Sequence, residues 1–129
     1  SSSLSLDFMR PHSKVQGARV KVVALDAFVR ERGIARVDLL KIDTESTEPQ
    51  VLQGMLGTLE RDHPSIICEV LRGRGAAGPV EDVLGRLGYR YYLLTPGGLR
   101  RVDRVAGHPE WLNYLFTCSD PETVVQGWR

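Results

Sequence analysis

Asp43 and Glu69 are the side chains in this sequence best placed to do chemistry. Each stands at or near the end of a short apolar run, Val37 to Ile42 in one case and Ser65 to Leu71 in the other. Such runs read as strands buried on both faces of a parallel sheet. A carboxylate at the carboxyl end of a strand can take or share a proton, anchor a substrate hydroxyl, or offer oxygen to a hard divalent cation. That end is also where open α/β sheets bind ligands. Lys41 belongs either to the same chemistry or to an ion pair with Asp43, because a charge near a buried strand needs a partner. Glu45 and Asn113 are candidates for substrate contact. Glu45 equally suits the positive end of a following helix, the reading adopted for Glu48, and Asn113 equally suits a cap or a turn.

The elements that would position these groups follow from pattern. Thr47 and Gln50 have the spacing of a capping box, Pro49 falls in a first turn, and Val51, Leu52, Met55, Leu56 and Leu59 recur at helical spacing, so a single helix is expected from there to His63-Pro64. Strand, acidic turn and helix then make one βα unit. Upstream, Ser1 to Gly17 reads as a polar arm or loop, Val20, Val22 and Val23 as a strand, and Asp26 as the cap of a short helix that carries Phe28 and Val29 and stops at Gly33. Downstream, Pro79 to Leu87 is expected to be helical. Tyr89 to Leu94 and Leu99 to Val102 flank the turn residues Thr95 to Gly98, and Trp111 to Cys118 forms the last strand. Residues 119–129 read as a tail or short helix, with Trp128 to anchor it. Tyr89, Tyr91 and Tyr92 alternate as on an edge strand, which core and rim packing explains. Arg72 to Gly78 lacks the glycine spacing of a phosphate cradle and reads as a mobile linker. His12, His63 and His108 have no ligand spacing to one another or to cysteine.

The segment Asp38-Leu39-Leu40-Lys41-Ile42-Asp43-Thr44-Glu45-Ser46-Thr47-Glu48, followed by Val51-Leu52-Gln53-Gly54, resembles the hallmark of the FkbM-type family of S-adenosylmethionine-dependent methyltransferases. The likeness extends more loosely through V-V-A-L-D-A-F, H-P-S-I-I-C-E-V-L, L-G-Y-R-Y-Y-L and N-Y-L-F, so it covers most of the chain. Ser46-Thr47 replaces the usual Gly-Ala, which would cost roughly 1 kcal/mol if that turn required a positive φ. The resemblance implies an α/β fold with a Rossmann-like class I methyltransferase sheet, expected to be mostly parallel with an antiparallel edge. It implies S-adenosylmethionine as cofactor, beside the candidates read above from the residues themselves: Asp43, Glu69 and Lys41 for catalysis, Glu45 and Asn113 for substrate contact. No Gly-x-Gly turn follows a strand near the amino end, so the cofactor residues are unknown and the chain is expected to hold the carboxyl-terminal, substrate-side half. It begins without Met, as an excised segment would.

Composition limits the remaining choices. The 129 residues suit a single domain, and a net charge of +1 gives no basic face for nucleic acid. No apolar run approaches the roughly 20 residues of a membrane span, and no signal peptide is evident, so a cytoplasmic protein is expected. Cys68 and Cys118 lie in apolar runs and read as free thiols. The preferred reading is methyl transfer to a hydroxyl oxygen of a small metabolite or sugar, by a fragment expected to be inactive alone. A metal at Asp43 and Glu69 is the weaker expectation. The competing reading is a non-catalytic assembly module derived from the same fold, and either allows a homodimer through an exposed sheet edge.

Overall fold

The computed structural model describes residues 22–44, 47–73 and 75–126. The first described helix, α1, spans Leu25–Arg32 and ends at Gly33, whose φ of 64° favours glycine. Strand β1 (Leu39–Ile42) follows, then helices α2 (Glu48–Gln53) and α3 (Leu56–Asp62), strand β2 (Ser65–Glu69) and helix α4 (Ala77–Arg86). Strands β3 (Arg90–Thr95), β4 (Gly98–Val102) and β5 (Asn113–Thr117) complete the sheet before the short helix α5 (Pro121–Gln126).

The described strands form one five-stranded sheet in the order β1-β2-β5-β3-β4. Among the described residues only β1 and β2 pair in parallel; β2 with β5, β5 with β3 and β3 with β4 are antiparallel. The mostly parallel sheet expected from sequence is therefore corrected to a mixed, mostly antiparallel one. The cause is topological. β1, β2 and β3 run the same way, but the chain returns from the β3-β4 hairpin and inserts β5 between β2 and β3. A reversed strand thus sits inside the sheet as well as at its edge.

Ile42, Ile66, Cys68, Tyr91, Tyr114 and Phe116 occupy alternate strand positions and pack with Leu52, Leu59, Val80 and Leu84 of the helices, and with Met55 between α2 and α3, in a single core, the period-two pattern of one sheet face meeting the apolar stripes of helices. β3 is interior, not the edge strand suggested by its tyrosines, and Tyr89, Tyr91 and Tyr92 are all buried. Tyr89 donates its hydroxyl to the Pro64 carbonyl at 2.6 Å, which satisfies the polar end of a buried ring.

Other local expectations change as well. Val22 to Ala24 are irregular rather than strand, and Val20, residues 1–17 and Trp128 lie outside the described residues. The single helix expected after Thr47 is two. The Gly54 carbonyl accepts from the Asp26 amide at 3.0 Å, and a Cβ on Gly54 would lie 3.1 Å from that of Ala24, so the docked segment 24–26 occupies the break. The Thr47–Gln50 capping box does not form: Thr47 Oγ1 donates to the Thr44 carbonyl at 3.0 Å. Thr47 has a φ of −99°, so no left-handed residue stands there; Ser46 lies outside the described residues.

Asp26 lies within the first turn of α1 and caps another helix. Its carboxylate accepts from the Gly57 amide (2.8 Å), the Thr58 amide (2.8 Å) and the Thr58 hydroxyl (2.6 Å), satisfying donors at the amino end of α3 from across the fold.

Candidate functional site

The register of the sheet brings Asp43, Glu69 and Asn113 into one row. Ile42 pairs with Cys68, so Asp43 and Glu69 are the next residues of adjacent strands, and Glu69 pairs with Asn113 across the antiparallel β2-β5 ladder. With strands about 4.8 Å apart, the row spans roughly 10 Å of backbone. Residues aligned in this way share a face, the one opposite Ile42, Cys68 and Tyr114. Asp43 and Asn113 are exposed and Glu69 is half-buried. An oxygen-bearing acceptor lying along the row could meet a carboxylate at each of two strand ends and a carboxamide at the third.

Cys68 reports on the same corner from the other face. Burial raises its thiol pKa first, and the nearby charges of Glu48, Glu69 and Asp43 raise it further. The acidic groups therefore gather around the ends of β1 and β2. Glu48 is fully buried in the first turn of α2 and accepts the Thr44 hydroxyl at 2.7 Å, so its position at the amino end of a helix matches the expectation. Lys41 shares the face of Asp43 two residues earlier and is exposed. Among the described residues no ion pair joins them. Glu45 lies outside the described residues.

A cleft of about 680 Å³ opens beside Asp43, within the range of small-molecule sites. Its polar rim is Lys41, Asp43, Thr44 and Gln50, and its apolar wall includes Phe28, Leu40 and Met55. Val22 to Leu25 close one side, held in place through Asp26. No short motif marks Thr44, Gln50 or this strap as lining, because Asp26 meets Gly57 and Thr58 31 and 32 residues away.

Beyond Glu69 the chain is also fixed. Val70 donates its amide to the Leu112 carbonyl at 2.8 Å, Tyr114 bonds the Ala106 carbonyl, and a Cβ on Gly107 would fall 2.3 Å from Arg72 Cα. The stretch read as a mobile linker is thus clamped at its start, with Gly73 and Gly75 at positive φ and residue 74 outside the described set. His108 stacks on Trp111 with centroids 4.7 Å apart, and its Nδ1 accepts the Glu110 and Trp111 amides, a turn role. Cys68 and Cys118 are free thiols, as expected. Among the described residues no group of three or more His, Cys, Asp or Glu is arranged to hold a metal ion, and no helix is long and apolar enough to cross a membrane.

A mixed α/β sheet with acidic groups at the carboxyl ends of its parallel strands is compatible with a methyltransferase fold. The chain matches the family described as the methyltransferase FkbM domain over residues 2–91, and it belongs to that family. It is also similar to the AMB antimetabolite synthetase AmbE of Pseudomonas aeruginosa, at 30% identity over 96 residues. That alignment covers 70% of this chain and 4% of the synthetase, so the chain spans a small part of this relative's length. No solved structure matches.

Proposed function

We propose that this chain is the substrate-side part of an S-adenosylmethionine-dependent O-methyltransferase acting in the cytoplasm on a hydroxyl group of a small metabolite or sugar. The observation that carries the reading is the row of Asp43, Glu69 and Asn113 at the carboxyl ends of β1 and β2, of which Asp43 also lines a cleft of small-molecule size. Membership of the FkbM family supplies the reaction class.

The described lining of the cleft contains one glycine, Gly54, and one carboxylate, Asp43. It therefore does not fit the glycine-rich turn and separate ribose-binding acid expected for S-adenosylmethionine, and we assign no cofactor contact and no metal here. The residues present fit the acceptor alcohol. Asp43, exposed and with no ion pair to Lys41, accepts the hydroxyl proton as the oxygen becomes a nucleophile. Glu69 and Asn113 hold neighbouring polar groups of the acceptor and fix its orientation. Lys41, on the same face, offsets the negative charge that builds along the row.

The test has two arms. Calorimetry on the isolated 129-residue chain is expected to find S-adenosylmethionine binding weaker than micromolar, and micromolar affinity, about −8 kcal/mol, would contradict the division of labour. Incubation of the longest polypeptide carrying this sequence with methyl-labelled cofactor and a panel of hydroxylated metabolites is expected to label an alcohol oxygen. Labelling confined to nitrogen, or none, would overturn the O-methyl reading. An assembly module is the second reading, favoured by the exposed Leu39, Val22, Val23 and Phe28 around β1.

A further inference from the structure

Glu48 is fully buried, the only charged residue so placed among the described residues. An exposed carboxylate would serve the positive end of α2 as well and escape the cost of leaving water, so the burial needs another cause. The bonds around it supply one. Glu48 Oε2 accepts the Thr44 hydroxyl at 2.7 Å, and the Thr47 hydroxyl donates to the Thr44 carbonyl at 3.0 Å while the Thr47 carbonyl accepts the Val51 amide at 3.1 Å. The start of α2 thus holds Thr44 by its side chain and by its backbone. On the other side of Asp43, Ile42 is fixed by the β1-β2 ladder and by the core. Asp43 stands between two anchored neighbours, and no ion pair or side-chain hydrogen bond holds its own carboxylate among the described residues. Its direction is therefore set through the main chain. Cys68 locates the buried carboxylate: after burial, the charge of Glu48 comes first among those that raise the thiol pKa, which puts Glu48 under the ends of β1 and β2, on the face opposite Asp43.

We propose that Glu48 is a positioning residue of the acceptor site: through the Thr44 hydroxyl it fixes the main chain that aims Asp43 along the row with Glu69 and Asn113. The role rests on the methyl-transfer reading of the same site and adds what keeps the base in place. A buried carboxylate suits the task. Its bond to a hydroxyl is charge-assisted, hence shorter and stronger than one between neutral groups, and in a site closed to water nothing competes for it. Thr44 is the point of control because it follows Asp43 directly and offers both a hydroxyl and a carbonyl to α2. Precision matters here, since a reacting group misplaced by about 1 Å can lose ~10²-fold in rate.

Turnover in the longest polypeptide that carries this sequence tests the role. Thr44→Val removes the hydroxyl but keeps the shape, and should lower kcat at least about tenfold while KM for the acceptor changes less than about threefold. Thr44→Ser keeps the donor and Glu48→Gln keeps an acceptor oxygen, so each should hold kcat within about threefold of wild type. In an Asp43→Asn background Thr44→Val should cost no further turnover, because its effect runs through Asp43. A purely structural bond would instead add its loss in either background. A second measurement, on the 129-residue chain, does not depend on the reaction. Residual dipolar couplings of the Asp43 and Thr44 amides should change in Thr44→Val and return in Thr44→Ser, with those of Cys68 and Tyr114 constant. Unchanged couplings in Thr44→Val, a kcat loss that persists in the Asp43→Asn background, or a Thr44→Ser variant that fails to recover turnover would each overturn the role of Glu48. Changed couplings beside a wild type without methyl transfer would overturn the methyl-transfer reading while supporting the hold of Glu48 on Asp43.

Discussion

The strap beside the cleft is held in large part by the carboxylate of Asp26, which makes Asp26→Ala a sharp structural test. Its carboxylate accepts from the Gly57 amide, the Thr58 amide and the Thr58 hydroxyl, and Thr58 is 3% exposed, so its hydroxyl depends on this acceptor more than the exposed Gly57 amide does. Loss of a helix cap typically costs about 1 kcal/mol, and a buried hydroxyl left without an acceptor about 1–2 more. The sum, about 2–3 kcal/mol, lowers the melting temperature by roughly 8–12 °C for a chain of this size. Asp26→Asn keeps the volume and one acceptor oxygen and should lose about half as much. Thr58→Val in the Asp26→Ala background removes the orphaned hydroxyl, so the double variant should be more stable than the sum of the single losses implies. Thermal melts followed by circular dichroism provide all these values. Strictly additive losses, or an Asp26→Ala loss below about 0.5 kcal/mol, would refute the remote cap.

Gly107→Ala should destabilise by about 1–3 kcal/mol in urea titration, because the added methyl meets Arg72 backbone that has no side-chain freedom to yield. Acid should weaken the fold through Asp26 and Asp62. Burial opposes the charge of Asp26, but its bonds from Thr58 and Gly57 and the charge of Arg30 prevail and lower its pKa; the bond from Arg61 leads in holding Asp62 at about 2. Since both folded values lie below the unfolded ones, their stabilisation is present above about pH 4 and fades as pH falls towards 2. Asp62→Asn should flatten that part of the stability curve, and an unchanged acid limb would contradict the assignment. Cys68, buried and with its thiol pKa raised, should resist alkylation in the native state while the half-buried Cys118 reacts first; equal rates by mass spectrometry would contradict this.

Much of the chain was legible from local pattern. The run ending at Ile42, the run from Ser65, the helix around Val80 to Leu84, the hairpin about Pro96-Gly97 and the last strand all appear, with ends shifted by a few residues. Strand order was not legible, because an interior antiparallel strand buried on both faces, such as Tyr114 to Thr117, reads like a parallel one. The break at Gly54 was hidden as well, since it depends on Asp26 and Ala24, distant in sequence. The places of Asp43 just after β1 and Glu69 at the end of β2 were readable because each stands at or near the end of an apolar run. The alignment of Glu69 with Asn113 was not, because it depends on where β5 inserts.

In the proposed function Asp43 acts in methyl transfer and does not hold the fold together. This is measured most directly by turnover and melting temperature on one sample of Asp43→Asn, in the longest polypeptide that carries this sequence. Asp43 is exposed and no ion pair joins it to Lys41 among the described residues, so melting should stay near wild type while turnover falls by roughly 10² or more, as loss of a general base does. A folded variant with near-normal turnover, or one that melts far below wild type, would contradict the account.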